Sequence, residues 1–577
     1  MRIAILHIDH CFPEKCSHEC TRFCPRVLMG QKTIEFVKSE KYPKIDEFTC
    51  VGCGICTKKC PFGAIEIINL PEELSNPFHQ YGQNMFRLFK FITLPKGKIV
   101  GLLGENGTGK STILNILSKQ IIPNFNKNAS EQDVVDFFRR TQNFDFFKSL
   151  YDNKIEISYK PQILPKVLPS KKVKDIIKNK EIINDLELSN ILEKDLSELS
   201  QGELQRAAIA ITLEKNSGLL VFDEPSTFLD IYQRINITKA IRKYSQNKYC
   251  AVVEHDLLVL DIVADYINIL YGKPGAFGIV SNIRNSRSGI NDFLRGFLRD
   301  ENVKMSDPIT LTQPGTKKTI NFTNKLLLFP SFTKTYKNFC LTSEQGTIFQ
   351  EEIVGILGRN ATGKSTFLKI LYGIEKSDQK NIETSITISY KPQEISANKT
   401  TLVADFINPK NIEKKSEKFN LIVANLNIFH LLNRPLNSLS GGELQRVWIA
   451  ACLFKEADIY LLDEPTAYLD VKQRLNLAKF LKVFLRIYKK AALVVDHDLS
   501  FLEYISDSLM LFEKKEIMCA PESATATKGE KYALINKLLS KLNITLRRDV
   551  ETNRLRVNEP NSQKDIEQKN NKCFIEK

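Results

Sequence analysis

The sequence lacks any apolar run that approaches the roughly 18–20 residues needed to cross a bilayer. It also lacks a recognisable secretion signal, because the opening MRIAILHIDH is soon interrupted by His, Asp and Cys. Cysteine is scarce beyond residue 60, where only five of the 13 cysteines lie. These absences predict a protein without membrane spans in a reducing compartment, where a disulfide scaffold is not expected.

The other eight cysteines form two runs that each end in Cys-Pro. The second run, Cys50-x2-Cys53-x2-Cys56-x3-Cys60, has the spacing of bacterial ferredoxins, in which the fourth cysteine binds the neighbouring cluster. The alternative is zinc, but a zinc site takes four ligands, commonly as two separated pairs. The spacing therefore favours two [4Fe–4S] clusters, with the ligand sets Cys11, Cys16, Cys20 and Cys60, and Cys24, Cys50, Cys53 and Cys56.

An internal repeat organises the rest of the chain. Five short blocks occur twice in the same order, which indicates a duplicated domain. The pairs are GENGTGKST (104–112) and GRNATGKST (358–366), YKPQ (159–162) and YKPQ (390–393), LSQGELQR (199–206) and LSGGELQR (439–446), VFDEPSTFLD (221–230) and LLDEPTAYLD (461–470), and VVEHDL (252–257) and VVDHDL (494–499).

The first block of each copy has the form of a phosphate-binding loop, between an apolar strand-like run and a helical run. Glycines let backbone N–H groups wrap a phosphate, and the N-terminus of the next helix attracts negative charge. The lysine is expected to reach the β- and γ-phosphates, and the serine to bind Mg²⁺. The candidate nucleotide-binding residues are Gly104, Asn106, Gly107, Gly109, Lys110, Ser111 and Thr112, and Gly358, Asn360, Gly363, Lys364, Ser365 and Thr366, with Ser111 and Ser365 also as metal ligands.

Two acidic residues end a buried, strand-like run in each copy. Asp223 and Asp463 are predicted to hold Mg²⁺ through water, and Glu224 and Glu464 to polarise the attacking water. Solvated acids at a strand end are the plain alternative. Because both pairs follow a phosphate-binding loop at a similar distance, the catalytic interpretation is favoured.

The order of the blocks resembles that of the ATP-binding-cassette ATPases. The resemblance implies two α/β nucleotide-binding domains, head to tail, with two ATP molecules between them. Each ATP site would join one phosphate-binding loop to the signature of the other cassette. The residues so implied are Ser200, Gly202 and Glu203, Ser440, Gly442 and Glu443, Gln162 and Gln393, Tyr81 (and Phe86) for adenine stacking, and His255 and His497 as catalytic contacts to the γ-phosphate.

The segments outside the two cassettes distinguish between the classes of cassette ATPase. Transporters need membrane segments, chromosome-type ATPases insert a long coiled coil, and soluble translation factors with two cassettes carry no ferredoxin. Two ferredoxin runs ahead of two cassettes resemble the ribosome-recycling ATPases of subfamily E, also called the RNase L inhibitor family. The likeness spans nearly the whole chain. It implies two tandem cassettes behind an N-terminal α+β ferredoxin-like domain.

The implied domains and functions follow from this likeness. The domains are a ferredoxin-like domain (1–76), a first cassette (77–280) with a helix-loop-helix insertion at about 125–155, a hinge (281–310), a second cassette (311–541) and a C-terminal hinge segment (542–577). ATP hydrolysis would split ribosomes after termination or stalling, as cassette closure moves the iron–sulfur domain. The implied cofactors are ATP, Mg²⁺ and two [4Fe–4S] clusters. The implied partners are the small ribosomal subunit and its RNA, a class 1 release factor or its stalled-ribosome relative, and initiation factors. A monomer in the cytoplasm, with the nucleus as a second location and no membrane, is expected.

Positive charge fits an RNA partner without proving one. Lys and Arg outnumber Asp and Glu by 82 to 67, which gives a net charge of +15. Such an excess suits a polyanion, but it also suits solubility. On the family resemblance, the candidate contacts to RNA phosphates are Arg139, Arg140, Arg284, Arg287, Arg295, Arg299 and Lys304.

The chain departs from the family pattern in three places. Gln201 replaces the first signature glycine, Asp496 stands where Glu usually precedes the histidine, and the hinge end ENVKMS (301–306) lacks the family's arginines. In the second cassette, Tyr336 and Phe339 are both candidates for adenine stacking. Two alternative functions stay open. One is a soluble cassette ATPase whose clusters carry electrons, although no substrate pocket accompanies them in the sequence. The other is the ATPase subunit of a transporter without its membrane partner.

Overall fold

The computed structural model describes most of the chain. The described residues are 2–36, 41–47, 49–69, 76–127, 129–162, 164, 171–309, 324–337, 339–379, 386–396, 400–407, 416–514 and 522–576. The predicted junction between hinge and second cassette, at 310/311, lies outside them. Among the described residues, no helix combines the length and the apolar character needed to cross a bilayer.

The N-terminal unit is a small α+β fold whose core is built partly from cysteines. Strand Arg2–Leu6 pairs antiparallel with Ile65–Asn69, and Ile34–Glu35 pairs with Lys44–Ile45. Its helices are Glu19–Arg22, Pro25–Leu28 and Ile55–Lys59. Cys20, Cys24 and Cys56 are buried in the same cluster as Ala4, Leu6, Ile34 and Ile45. So small an apolar core is the kind that bound metal usually reinforces.

The first cassette is built on a mixed sheet with parallel central strands. In spatial order the strands are His79–Gln80, Arg87–Phe89, Phe277–Val280, Tyr266–Lys273, Ile99–Gly104, Tyr249–Val253, Leu219–Asp223 and Ile157–Lys160, with Arg284–Asn285 paired to Tyr266–Lys273. The helices are Lys110–Leu117, Glu131–Phe137, Phe144–Tyr151, Val173–Ile176, Lys180–Asp185, Gln201–Glu214, Ile231–Tyr244 and Leu257–Val263. Every residue of Ile99–Gly104 is buried, as in a parallel strand covered on both faces. Because parallel strands end at one edge, the loops that follow them meet there.

The second cassette repeats this arrangement. Its strands, in spatial order, are Phe332–Thr335, Phe339–Ser343, Glu522–Glu530, Ser508–Lys514, Ile353–Gly358, Ala491–Val495, Ile459–Asp463 and Ile388–Lys391, and a separate pair joins Lys325–Phe329 to Gly346–Phe349. The helices are Lys364–Tyr372, Val403–Ile407, Glu417–Asn425, Gly441–Phe454, Val471–Ile487, Leu499–Ile505 and Lys531–Leu542. Each repeated sequence block therefore lies at the same place in both cassettes.

Two helices of the first cassette, Glu131–Phe137 and Phe144–Tyr151, lie in the segment where the sequence predicts a helix-loop-helix insertion. Ser130 and Asp133 form a capping box at the start of the first helix. The rings of Phe138 and Phe147 stack with their centroids 4.3 Å apart, which packs the pair together. Arg139 and Arg140, in the turn between the helices, are exposed.

The hinge and the C-terminal segment are bound to each other by polar contacts. The hinge contains helix Ser286–Arg295 and the strand pair Phe297–Leu298 and Val303–Lys304; the C-terminal segment contains the strands Leu546–Arg548 and Leu555–Val557 and helix Gln563–Asn570. Asn291 Nδ2 donates to Asp549 Oδ1 at 3.0 Å. Arg554 Nη2 donates to Asp261 Oδ1 of the first cassette at 3.2 Å. The C-terminal segment therefore connects the hinge helix to the first cassette.

These contacts correct part of the predicted RNA surface. Arg284 is only 6% exposed and pairs with Asp292, Asp300 and Glu301, so its guanidinium is occupied inside the fold. The prediction of Arg284 as a phosphate contact is wrong. The other hinge cations also have acidic neighbours, Arg287 with Asp549, Arg295 and Arg299 with Glu551, and Lys304 with Asp307. Two of the acidic partners, Asp549 and Glu551, lie on the distant C-terminal segment, whereas the partners of Arg284 and Lys304 lie within the hinge itself.

Candidate active sites

The two phosphate-binding loops have the predicted strand-loop-helix setting. Helix Lys110–Leu117 begins after Gly109, whose φ of 99° is left-handed, and helix Lys364–Tyr372 begins after Gly363, with φ 85°. A side chain at Gly109 would also collide with Phe86, since an added Cβ would lie 2.8 Å from its Cζ. Glycine is therefore required at this position for both conformation and space.

Both loop lysines are buried and turn back on their own loops. Lys110 Nζ donates to the carbonyl oxygens of Gly104 and Glu105, each at 2.8 Å. Lys364 Nζ donates in the same way to Gly358 and Arg359, at 3.0 and 2.6 Å. Burial lowers the pKa of both lysines, against the opposing effect of nearby carboxylates. An anion at this position would replace the carbonyls as the partner of each ammonium group.

Glutamine and histidine converge on the predicted catalytic glutamate. Gln162 Nε2 donates to Glu224 Oε1 at 2.7 Å, and His255 Nε2 lies 3.4 Å from the same oxygen. The second copy matches: Gln393 Nε2 donates to Glu464 Oε1 at 2.9 Å, and His497 Nε2 lies 3.2 Å from it. Three motifs that lie far apart in the sequence thus meet at one carboxylate in each cassette.

The neighbouring acids differ strongly in proton affinity. Burial raises the pKa of Asp223 to about 7, and Glu224 next to it adds to the effect. Burial raises the pKa of Asp463 to about 6, with Ser365 opposing. Burial would also raise the pKa of Glu224 and Glu464, but contact with His255 and His497 holds both at about 2. A carboxylate that remains ionised in this way can orient a water molecule without itself becoming protonated.

Four residues that hold this site were missed in the sequence. Lys160 and Lys391, from the two YKPQ blocks, donate from Nζ to the carbonyls of the acidic pair. Gln205 and Gln445, from the two LSxGELQR blocks, donate to the carbonyls of Glu224 and Glu464 at 2.9 and 2.7 Å. The sequence did contain an indication of their importance, because all four residues lie inside repeated blocks and are identical in the two copies.

The aromatic residues near the two loops occupy matching positions. Tyr81 is 45% exposed, and its hydroxyl lies 3.2 Å from Thr112 Oγ1. Tyr336 is 39% exposed, and its hydroxyl hydrogen-bonds with Thr366 and Glu375. Phe86 packs against Gly109, and Phe339 packs against Gly363. Tyr336 is therefore the counterpart of Tyr81, and Phe339 is the counterpart of Phe86.

Each phosphate-binding loop is bonded to the opposite cassette. The backbone N–H of Asn106 donates to Asp470 Oδ2 at 3.1 Å, and that of Asn360 donates to Asp230 Oδ2 at 2.8 Å. Asn360 Nδ2 also donates to the carbonyl of Phe228 at 3.0 Å. Lys472 and Glu105 form a further ion pair across the interface, at 2.7 Å. The two sites thus lie between the cassettes, as the resemblance implied.

The signature motifs begin helices Gln201–Glu214 and Gly441–Phe454. Ser200 with Glu203, and Ser440 with Glu443, form capping boxes with the same 2.8 Å distance from Oγ to Oε2. Gln201 therefore leaves the start of its helix unchanged. The glutamates accept these local bonds, and a direct nucleotide contact by Glu203 or Glu443 stays a prediction.

Asp496 keeps the contacts of the glutamate that it replaces. Its Oδ1 accepts from the N–H of His497 at 2.7 Å, as Glu254 Oε2 accepts from His255 at 2.9 Å. It also accepts from Thr466, where Glu254 accepts from Ser226. Both carboxylates fix the backbone beside the histidine, so the shorter side chain makes no difference to this role.

The eight N-terminal cysteines separate into the two predicted sets. Burial raises the pKa of Cys11 to about 11, and its neighbouring thiols are Cys20, Cys60 and Cys16. Burial raises the pKa of Cys56 equally, and its neighbours are Cys50, Cys53 and Cys24. One cavity is lined by Cys24, Cys50, Cys53 and Cys56 together. Eight thiols in two groups of four are the donors that two iron–sulfur clusters take, so the residues present fit such clusters.

The cysteine-rich unit is fixed to the first cassette through Asn84. This residue is 1% exposed, and its Nδ2 donates to the carbonyl of Ala4 at 3.1 Å. Its Oδ1 accepts from the N–H of Ile45 at 2.9 Å, and its carbonyl accepts from the N–H of Leu6. The ion pairs Arg87–Glu47 and Lys273–Glu66 add to the contact. These contacts join the unit to the first cassette.

Twin sheets with shared phosphate-binding sites define the class of protein: an ATP-binding-cassette ATPase with a ferredoxin-like domain. Family models agree. The model of the ABC transporter family matches residues 91–227 and 341–467, that of a possible Fer4-like domain in RNase L inhibitor matches 1–32, and that of a 4Fe-4S binding domain matches 43–66. These matches imply ATP, Mg²⁺ and 4Fe–4S clusters as cofactors.

Full-length relatives identify the family within this class. Translation initiation factor RLI1 of Saccharomyces cerevisiae is 37% identical, with 98% of this chain and 97% of the relative covered. Archaeal ABCE1, in a structure with ribosome-bound Pelota, is 40% identical with a TM-score of 0.91, over 100% of this chain and 99% of that one. An archaeal ribosome recycling factor, aABCE1, in complex with the ribosomal stalk protein aP1, is 40% identical with a TM-score of 0.81, over 87% and 99%. The chain belongs to the RNase L inhibitor family, subfamily E of the ATP-binding-cassette proteins.

Proposed function

We propose that this protein is an ATP-driven recycling factor that splits ribosomes into subunits after termination or stalling. The relatives known as a ribosome recycling factor and as ABCE1 on a ribosome with Pelota support this function. The same relatives disfavour electron transfer as the main role of the clusters. A class 1 release factor, or its stalled-ribosome relative, would be the partner on the ribosome.

The structural observation that best supports this function is that both cassettes contact the N-terminal domain. Asn84 binds it to the first cassette, and Arg434 of the second cassette contacts His10. Asp470 and Asp230 hold each phosphate-binding loop against the opposite cassette. A change in the angle between the cassettes therefore has to displace the N-terminal domain relative to one of them. Such a displacement is what a lever between ribosomal subunits requires.

Each ATP site would be assembled from both cassettes. Lys110 and Lys364 would bind the β- and γ-phosphates, and bound Mg²⁺ would neutralise the charge of the transferred phosphoryl group. Glu224 and Glu464 would orient the attacking water, with His255 and His497 against the γ-phosphate. The other residues would act as follows: Ser111, Ser365, Asp223 and Asp463 on Mg²⁺, Tyr81 and Tyr336 on adenine, and Ser200, Gly202, Ser440 and Gly442 on the γ-phosphate of the opposite site.

Two [4Fe–4S] clusters would fill the cysteine sets, one on Cys11, Cys16, Cys20 and Cys60, the other on Cys24, Cys50, Cys53 and Cys56. Their role would be to stiffen a domain with a small apolar core. The small ribosomal subunit, its RNA and initiation factors would be further partners, with the exposed Arg139 and Arg140 as phosphate contacts. The protein would act as a monomer in the cytoplasm, with the nucleus as a second location.

Sedimentation of ribosomes tests the function directly. Purified ribosomes are incubated with the protein, ATP and the stalled-ribosome release factor, then separated on a sucrose gradient. We expect the ribosome peak to fall and the subunit peaks to rise only when all components are present. The matched control carries Lys110→Met and Lys364→Met, which should remove phosphate binding. Intact ribosomes in the presence of an active ATPase would refute the proposal.

A further inference from the structure

Two lysines lie buried beneath the catalytic acids, one in each cassette. Lys160 ends strand Ile157–Lys160 and is 1% exposed; Lys391 ends strand Ile388–Lys391 and is 0% exposed. Lys160 Nζ donates to the carbonyls of Asp223 at 2.8 Å and Glu224 at 3.2 Å. Lys391 Nζ donates to the carbonyls of Asp463 at 2.8 Å and Glu464 at 3.3 Å. The same geometry is therefore present in both copies of the repeated block.

A buried ammonium group is costly unless its bonds are well placed. Burial lowers the pKa of Lys160 and of Lys391 to about 8, in spite of the nearby acids. Filling the strand end with an apolar side chain would avoid this cost. The presence of a lysine at this buried position is therefore explained by the hydrogen bonds of its ammonium group to the backbone of the two acidic residues.

That backbone is strained at the glutamate. Glu224 has φ 44° and Glu464 has φ 47°, in the left-handed region that residues with a Cβ seldom adopt. Gln205 Nε2 shares the Glu224 carbonyl with Lys160, and Gln445 Nε2 shares the Glu464 carbonyl with Lys391. This conformation turns the carboxylate of Glu224 toward Gln162 and His255. Two donors on one carbonyl thus keep the glutamate turned toward its partners.

We propose that Lys160 and Lys391 are positioning residues for ATP hydrolysis, which hold Glu224 and Glu464 in the conformation that aims their carboxylates at the attacking water. The proposal rests on the proposed role of these glutamates. Each Nζ is committed to backbone carbonyls of the acidic pair, whereas the phosphates are assigned to Lys110 and Lys364. Loss of the ammonium group should therefore affect turnover and leave nucleotide binding intact.

The test uses the full-length protein with Lys160→Met and Lys391→Met combined, since methionine keeps much of the volume. ATP hydrolysis gives kcat and KM, and a fluorescent ATP analogue gives nucleotide affinity. We expect kcat to fall at least about 10-fold while KM and nucleotide affinity change less than about 2-fold. The matched control is Lys482→Met, because Lys482 is also buried and donates to a carbonyl, that of Tyr504 at 3.0 Å, away from both sites. It should keep the normal kcat.

A double-mutant comparison separates positioning from general loss of structure. In a Glu224→Gln, Glu464→Gln background, the two methionine substitutions should slow hydrolysis little further, because they act through the residues already changed. Multiplied losses, or an unchanged kcat in the methionine variant, would overturn the proposal. Should the methionine variant fold poorly, Gln205→Leu with Gln445→Leu removes the other donor and must give the same fall in kcat.

The outcomes also separate this proposal from the assignment of the glutamates. If the Glu→Gln pair hydrolyses ATP at the normal rate, the assigned role of Glu224 and Glu464 is wrong, and the positioning proposal fails with it. If the Glu→Gln pair is slow but the Lys→Met pair is normal, only the positioning proposal fails.

Discussion

Arg434 of the second cassette and His10 of the ferredoxin-like domain lie in contact, with 3.0 Å between Nη1 and Nε2. The same guanidinium lies 3.4 Å from the signature residue Glu443 and donates to the carbonyl of Ser438 at 2.7 Å. In the first cassette the corresponding residue is Lys194, which pairs with Glu203 at 3.0 Å. An arginine fork can hold several partners at once, and a lysine ammonium holds them less rigidly. Arg434 therefore connects a signature motif to the N-terminal domain.

Arg434→Lys should uncouple ribosome splitting from ATP hydrolysis. The pair with Glu443 would persist, as Lys194 pairs with Glu203, but the fixed contact with His10 would be lost. We expect ATPase activity within about 2-fold of normal and a splitting rate reduced about 5- to 10-fold, equivalent to roughly 1 kcal/mol or more. Lys194→Arg is the matched control and should leave both rates unchanged. Equal loss of both activities would show that Arg434 acts in the ATP site itself.

Cys53→Ser should disable splitting and spare the ATPase. A lost thiolate removes a cluster ligand together with the folding energy linked to the metal, whereas each cassette has an apolar core of its own. Iron analysis of the anaerobically purified protein should give about eight irons per chain normally and about four in the variant. Two zinc ions without labile sulfide would contradict the cluster assignment. Normal splitting by the variant would contradict the lever.

Removal of the exposed tyrosine ring should weaken nucleotide binding at the matching site. Base stacking on an aromatic ring is worth roughly 1–3 kcal/mol, so Tyr81→Ala and Tyr336→Ala together should raise KM for ATP about 5-fold or more. The rate at saturating ATP should change little, because neither ring contacts the catalytic glutamates. The Tyr→Phe pair keeps the rings and is the control. If only Phe86 and Phe339 substitutions raise KM, the stacking role belongs to the phenylalanines.

Asp498→Asn should stabilise the protein near neutral pH. Burial raises the pKa of Asp498 to about 6, and Asp256 of the other cassette adds to the effect. A carboxyl whose pKa is raised by folding stabilises the fold while it is protonated. That contribution is lost as the pH rises from the pKa of the unfolded state, near 4, to the pKa of the folded state. Above pH 6 the wild type therefore carries a buried charge that costs roughly 1–3 kcal/mol. The variant should have the higher melting temperature at pH 7.5, with the difference shrinking toward pH 5. An equal difference at both pH values would refute this.

Local motifs made the nucleotide chemistry predictable. The loop around Lys110 and the acidic pair Asp223 and Glu224 each lie within a few residues of chain, so their spacing predicts their chemistry directly. The ferredoxin spacing also predicts that Cys60 joins Cys11, Cys16 and Cys20, because the fourth cysteine of such a run binds the neighbouring cluster. The parallel sheets follow from buried apolar strands that alternate with helices.

Contacts that only the folded chain brings together were not predictable. Arg284 was placed on an RNA surface because the sequence does not show that Asp292 and Glu301, a few turns further along the hinge, fold back onto its guanidinium. Lys160 was overlooked because its ammonium group holds carbonyls contributed by a different strand. Tyr336 could not be separated from Phe339 until the sheet placed one beside Thr366 and the other against Gly363. In each case the role depends on a partner that only the fold brings near.

Asp230 and Asp470 each use their two carboxylate oxygens to bind two different parts of the protein. Oδ1 caps the following helix, accepting from Gln233 or Gln473, while Oδ2 accepts from the loop of the opposite cassette. When the cassettes part, the second oxygen and the released N–H can turn to water, and the helix cap stays bonded. Separation thus breaks no secondary structure at this point. The interface can therefore open and close repeatedly, because no helix has to refold before the cassettes come together again.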